Sequence, residues 1–116
     1  MDRSLTDLSD RFRPLAEALL KAFADAGLNV IVVDTLRTPA EQADALASGH
    51  SWTQHSKHLT GDAIDVAPLQ EWTKNINWSP SNPDWQRMGE IGEGLGLRWG
   101  GRWAHADLGH FEYVES

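Results

Sequence analysis

Apolar residues recur three and four positions apart at Leu15, Leu19, Leu20 and Phe23 in PLAEALLKAFADAG, the spacing of one helical face. Pro14 suits a first turn and Gly27 the position just past the end, so the segment predicts an amphipathic helix. The pattern then changes. NVIVVDTLR, from Asn29 to Arg37, is β-branched and almost continuously apolar, which predicts a strand inside a sheet, with Arg37 delivered to the loop beyond it.

Thr38, Pro39 and Glu41 form a capping-box pattern, so a second helix is expected from Pro39 to about Ser48, stopping at Gly49. HSWTQHSKH, from His50, has no periodicity, whereas DAIDVA, Asp62 to Ala67, alternates as a short strand does. His58 should then lie just before that strand and Asp65 on it. Pro68 to Asn82 is rich in proline, asparagine and serine and reads as a long surface loop that shapes a substrate groove. A third helix opens at Asn82 and Pro83, runs through Trp85, Met88, Ile91 and Leu95 and ends at Gly96, although Gly89, Gly92 and Gly94 weaken it. LRW and HFEYVE predict two short strands around the glycine-rich GGRWAHADLG.

A length of 116 residues suits one domain, 1–116, with one core and one site. The net charge of -7 disfavours nucleic acid and anionic membrane surfaces as partners. With no cysteine, disulfides, thiolate nucleophiles and thiolate zinc sites are excluded, so any metal must be held by nitrogen and oxygen. MDRSLTDLSDRFRP lacks the apolar run of a signal peptide, and no stretch approaches the ~20 apolar residues of a membrane span. A soluble, cytoplasmically made chain without membrane insertion is expected. The six tryptophans serve either core packing or an aromatic wall beside a ligand.

Candidate chemistry lies in SKHLTGDAID and DLGHFE. Catalytic zinc commonly takes three protein ligands from His, Asp and Glu, and His58, Asp65 and His110 could supply them, with a turn at Gly61 letting the first two converge. Such a metal lowers the pKa of water toward ~7, and Asp107, three residues before His110, is the candidate base. Arg37 has the charge to steady a developing oxyanion. On bare sequence, each has a plainer reading: a hydrogen-bonded pair plus an unrelated histidine, a turn aspartate in DLG, and a surface ion pair for Arg37.

These residues carry a resemblance. SKHLTGDAID fits SxHxxGxAxD, DLGHFE fits the acid-xx-His ending, LRTPAEQ resembles an Arg-Ser/Thr-Pro-x-x-Gln segment, and WGGRW resembles a WGG segment, in the order found in the VanX and VanY type zinc peptidases. That group includes D-alanyl-D-alanine carboxypeptidases and phage L-alanyl-D-glutamate endopeptidases. The resemblance covers about Leu15 to Tyr113. It implies a small α+β fold, an antiparallel sheet packed with helices, with one Zn2+ on His58, Asp65 and His110. It further implies Asp107 as catalytic acid/base, Arg37 on the polarised carbonyl, and Ser56, Gln42 and Trp103 as supporting or substrate-side residues. Asp62 falls at a variable position of the motif and is expected to be solvated. Glu112 should share a face with His110. His50, His55 and His105 are expected to be surface or capping residues.

The function implied is hydrolysis of a peptide bond in peptidoglycan stem peptides, foremost between L-Ala and D-Glu in the manner of a phage endolysin released through a holin. The expected enzyme is a monomer. The alternatives are a D-alanyl-D-alanine carboxypeptidase and, as in the Hedgehog signalling domains of the same fold, a zinc-containing binding module. The acidic charge and the lack of an appended wall-binding domain depart from many lytic enzymes.

Overall fold

The computed structural model describes residues 2–47, 56–70, 73–104 and 106–115. Helix α1 (Arg13–Asp25) is followed by strand β1 (Val30–Asp34), helix α2 (Pro39–Ala47), strand β2 (Ala63–Pro68), helix α3 (Pro83–Gly94), strand β3 (Arg98–Trp99) and strand β4 (His110–Glu112). Short 3-10 turns occupy Leu5–Asp7, Lys57–Thr60 and Gly100–Arg102. The strands form one antiparallel sheet in the order β1-β2-β4-β3. No helix among the described residues is long and apolar enough to cross a membrane.

Alternation along the strands sorts the residues into two faces. Ile64 pairs with Phe111 on one face, and the next pair along, Asp65 with His110, points to the other. Against the first face pack α1 and α3. Phe12, Ala16, Leu19 and Phe23 form the buried stripe of the N-terminal helix, with Leu15 and Leu20 half-buried beside it. Phe23 meets Phe111 edge to face at 5.8 Å. Burying a Leu or Phe of this kind contributes about 1.5–3 kcal/mol, and the helices are held mainly by this face.

Three local signals take the expected form. Thr38 Oγ1 accepts from the Glu41 amide at 3.1 Å and Glu41 Oε1 accepts from the Thr38 amide at 3.0 Å, a reciprocal capping box. Asn82 caps α3 through the Asp84 amide. Gly27 sits beyond α1 at φ 78, the left-handed conformation that glycine adopts at little cost. The end expected for α2 at Ser48 and Gly49 lies outside the described residues.

Other expectations need correction. β1 lies at a sheet edge, not in the interior, and most of its side chains are half-buried. Its unbroken apolar run reflects partial cover on both faces rather than neighbours on both sides. Pro68 closes β2, and the segment after it folds back: Leu69 bridges Ile76, and the Asn77 amide bonds to the Pro68 carbonyl at 2.8 Å. In α3, two of the glycines that weaken helix propensity are contact points. A Cβ on Gly89 would come within 2.3 Å of the Trp99 ring, and one on Gly92 within 2.4 Å of Phe111, so their absence lets α3 lie close on the sheet.

Candidate active site

The site grows from the face opposite α1 and α3. Val32 pairs with Val66, but the next pairing joins Asp34 to Asp65, so an extra residue bulges out of β1 at Val33. Asp34, Asp65 and His110 consequently stand in one row across three neighbouring strands.

His58 reaches the row from the 3-10 turn before β2. Ser56 Oγ accepts from the His58 amide at 3.2 Å, and Gly61 ends the turn at φ 73. A side chain at Gly61 would also strike the backbone of Ser9, within 2.8 Å. His58 is buried, and its Nδ1 lies 2.6 Å from the Thr35 carbonyl oxygen. A carbonyl only accepts, so Nδ1 donates there, and Nε2 is the ring nitrogen turned toward the row of side chains. That Nε2 lies 3.0 Å from Asp65 Oδ1 without hydrogen-bond alignment, and it is buried with no partner.

His110 mirrors this arrangement. Its Nδ1 lies 3.1 Å from Asp65 Oδ1, while Nε2 is 2.8 Å from Glu112 Oε1. Burial opposes a charged ring, but the hydrogen bonds to Asp65 and Glu112 prevail and push its pKa up to about 10. The same logic runs in reverse for Asp65. Burial would raise its pKa, yet His58 and His110 hold it well below the usual carboxylate range. Glu112, also resisted by burial, is held low by His110 and Lys57. Lys57 Nζ and Arg98 Nη1 each lie 3.4 Å from Glu112 Oε2.

His58, Asp65 and His110 each offer one ligand atom, all within 4.8 Å of one another, and the group can hold a metal ion. The donor chemistry fits: two imidazole nitrogens and a carboxylate oxygen converge, and His58 Nε2 is buried with no hydrogen-bond partner.

Arg37 leaves the end of β1 and is fixed from several sides. Its amide donates to the His58 carbonyl at 2.9 Å. Nε and Nη2 both donate to Asp34 Oδ2, at 3.0 and 2.6 Å, and Nη1 donates to Gln42 Oε1 at 2.6 Å. Nη2 also stands 3.6 Å from Asp65 Oδ2. On the far side, Asp107 Oδ2 is 3.9 Å from His110 Nδ1 with its side chain 46% exposed. Desolvation and the nearby charge of Asp65 raise its pKa. The Asp107 loop is pinned at Gly100, where a Cβ would lie 2.6 Å from the Asp107 carbonyl. Trp103 tilts over His110 with ring centroids 5.0 Å apart and forms one wall. Of the other tryptophans, Trp85 and Trp99 are core residues, and Trp78 is exposed and stacks on Trp85.

The structure therefore gathers His58, Asp65, His110, Asp107, Arg37, Gln42, Ser56 and Trp103 around one centre. Glu112 shares the face of His110 as expected. His50, His55 and His105 lie outside the described residues. Asp62 is a correction. It is buried, accepting from Ser9 Oγ at 2.5 Å, Thr60 Oγ1 at 2.8 Å and Arg11 Nη2 at 2.9 Å, because the N-terminal segment folds over it. Sequence reasoning missed Asp34, Thr35 and Lys57. An acid three positions before Arg37 was a visible signal for the first, but Thr35 contributes a backbone carbonyl that leaves no trace in residue type.

Known proteins resemble the chain in sequence and in fold. Residues 49–113 match the Peptidase M15 family model described as D-alanyl-D-alanine carboxypeptidase. The chain is 30% identical over 112 residues to the L-alanyl-D-glutamate peptidase of Listeria phage A118, a match covering 95% of this chain and 39% of that relative. Among solved structures, the Serratia marcescens L-Ala D-Glu endopeptidase ChiX superposes with a TM-score of 0.74 at 23% identity, covering 95% of this chain and 83% of that one. The vancomycin resistance D,D-pentapeptidase VanY, solved in complex with Zn(II), superposes with a TM-score of 0.64 at 17% identity, covering 93% of this chain and 73% of that one.

Proposed function

Since the chain belongs to the Peptidase M15 family described as D-alanyl-D-alanine carboxypeptidase, we propose that it is a zinc metallopeptidase that hydrolyses peptidoglycan stem peptides between L-alanine and D-glutamate. The observation that carries the reading is the buried His58 Nε2, without a hydrogen-bond partner, converging with Asp65 Oδ1 and His110 Nδ1. The phage relative's name and that of ChiX support the choice of bond. VanY in complex with Zn(II) supports the choice of metal, as does a donor set of nitrogen and oxygen.

His58, Asp65 and His110 would hold the ion, which supplies a Lewis acid for the peptide carbonyl and water with a pKa near ~7. Around it, each side chain has a task. Asp107, on the open side of the centre, takes a proton from the attacking water and returns it to the leaving amine. Arg37 directs positive charge toward the carbonyl oxygen as negative charge develops there. Glu112 and the Thr35 carbonyl keep the two imidazoles in the tautomers and orientations that point Nδ1 of His110 and Nε2 of His58 inward. Trp103 shields one side.

The test is incubation of the protein with peptidoglycan, with zinc and after chelation, followed by mass spectrometry of the released peptides. New amines on D-Glu that vanish on chelation are the expected result. Release of free D-Ala moves the protein to the carboxypeptidases, and bound zinc without any product makes it a binding module.

A further inference from the structure

Asp34 is buried, and its two oxygens differ. Oδ2 receives both Nε and Nη2 of Arg37, whereas Oδ1 is buried without a partner. An unpaired buried acceptor costs on the order of 1–3 kcal/mol, so the placement of this carboxylate is not explained by hydrogen-bond economy alone. It stands directly beside Asp65 in the sheet, and Arg37 Nη2 lies between them, 2.6 Å from Asp34 and 3.6 Å from Asp65 Oδ2. Asp65 Oδ1 faces both histidines.

We propose that Asp34 is a positioning residue that acts through Arg37. It holds the guanidinium against the outer oxygen of Asp65, which leaves the inner oxygen to the histidines, and it fixes the direction from which Arg37 meets the substrate carbonyl. A lysine at position 37 could not reproduce this, because the clamp uses the planar fork of Nε and Nη2 on one oxygen with Nη1 on Gln42. The role in turnover rests on the peptidase reading above.

The experiment has two arms. In the metal-free wild type, NMR should show one arginine Nε–H resonance, assigned by its loss in Arg37→Ala, exchanging far more slowly than those of exposed arginines. In Asp34→Asn that protection should fall. A freely exchanging Arg37 Nε–H in the wild type overturns the clamp whether or not the variant folds. In the kinetic arm, Asp34→Asn should bind metal with unchanged stoichiometry and lose about 10- to 100-fold in kcat with little change in KM. In an Arg37→Ala background the same substitution should cost nothing further. Full kcat in Asp34→Asn, an additive loss in the double variant, or loss of metal each overturns the proposal. Wild-type protein that cleaves no wall peptide defeats the peptidase reading instead, and the positioning role with it, while the exchange arm still judges the clamp.

Discussion

Asp65 lies directly across the β2–β4 pairing from His110, and its Oδ1 is 3.1 Å from His110 Nδ1 and 3.0 Å from His58 Nε2. One oxygen thus serves two rings. His58→Ala and His110→Ala should each lose bound metal and activity together. Asp107→Asn should retain one metal per chain and lose on the order of 10²–10⁴-fold in kcat. Metal analysis beside turnover checks this, and metal loss in the Asp107 variant would make that residue a ligand.

Adding zinc to chelated protein should raise its thermal stability, by about 2.7 kcal/mol at a hundred times the Kd, because the ion binds the assembled site. In the metal-free protein His110 carries a proton, with a pKa of about 10. Binding must expel it, so affinity should fall as pH is lowered. Titration calorimetry in buffers of different ionisation enthalpy would detect the released proton.

Glu112→Gln removes the charge that orients His110 while keeping the shape. The expected outcome is metal binding weakened by about 10- to 100-fold with the fold intact, measured by competition with a chelator. Unchanged affinity would reduce Glu112 to a partner of Lys57 and Arg98.

Asp62 predicts a pH-dependent loss of stability. Hydrogen bonds from Arg11, Ser9 and Thr60 outweigh burial and lower its pKa from 3.8 to about 2. The folded state gains while the carboxylate is ionised, so the contribution is complete above 3.8 and disappears as pH falls through about 2. Allowing for the half-exposed Arg11, Asp62→Asn should cost roughly 1–2 kcal/mol at pH 7. Urea unfolding should show the difference from wild type shrinking between pH 4 and pH 2.

The glycines of α3 should behave oppositely to one another. Alanine favours a helix over glycine by about 1 kcal/mol, but a methyl at Gly89 or Gly92 meets an aromatic ring at 2.3 or 2.4 Å, and overpacking of that kind costs about 1–3 kcal/mol. Gly94 has nothing within 4 Å. Gly94→Ala should stabilise by a few tenths to ~1 kcal/mol, and Gly89→Ala and Gly92→Ala should destabilise, as read by thermal unfolding.

What could be read from the sequence was what short spacing encodes. The capping box at Thr38 and Glu41, the helical stripe through Leu19 and Phe23, and the interval from His58 to Asp65 each involve residues a few positions apart. What escaped depends on distant or backbone partners. Asp62 looked solvated because Arg11, fifty-one positions earlier, cannot be placed beside it from sequence. β1 looked interior because apolar continuity does not record how many neighbours a strand has. The same holds for Gly89 and Gly92, whose purpose lies in rings belonging to β3 and β4.

The extra residue at Val33 makes the register of β1 as exacting as its chemistry. Were the strand to pair regularly through Val33, that residue would stand opposite Asp65, and the Asp34 carboxylate would turn toward the side of the sheet occupied by Ile64. Every residue type at the metal centre would survive such a slip, yet Arg37 would lose its anchor. In this strand a change that straightens the bulge is therefore more damaging than most substitutions of its residues.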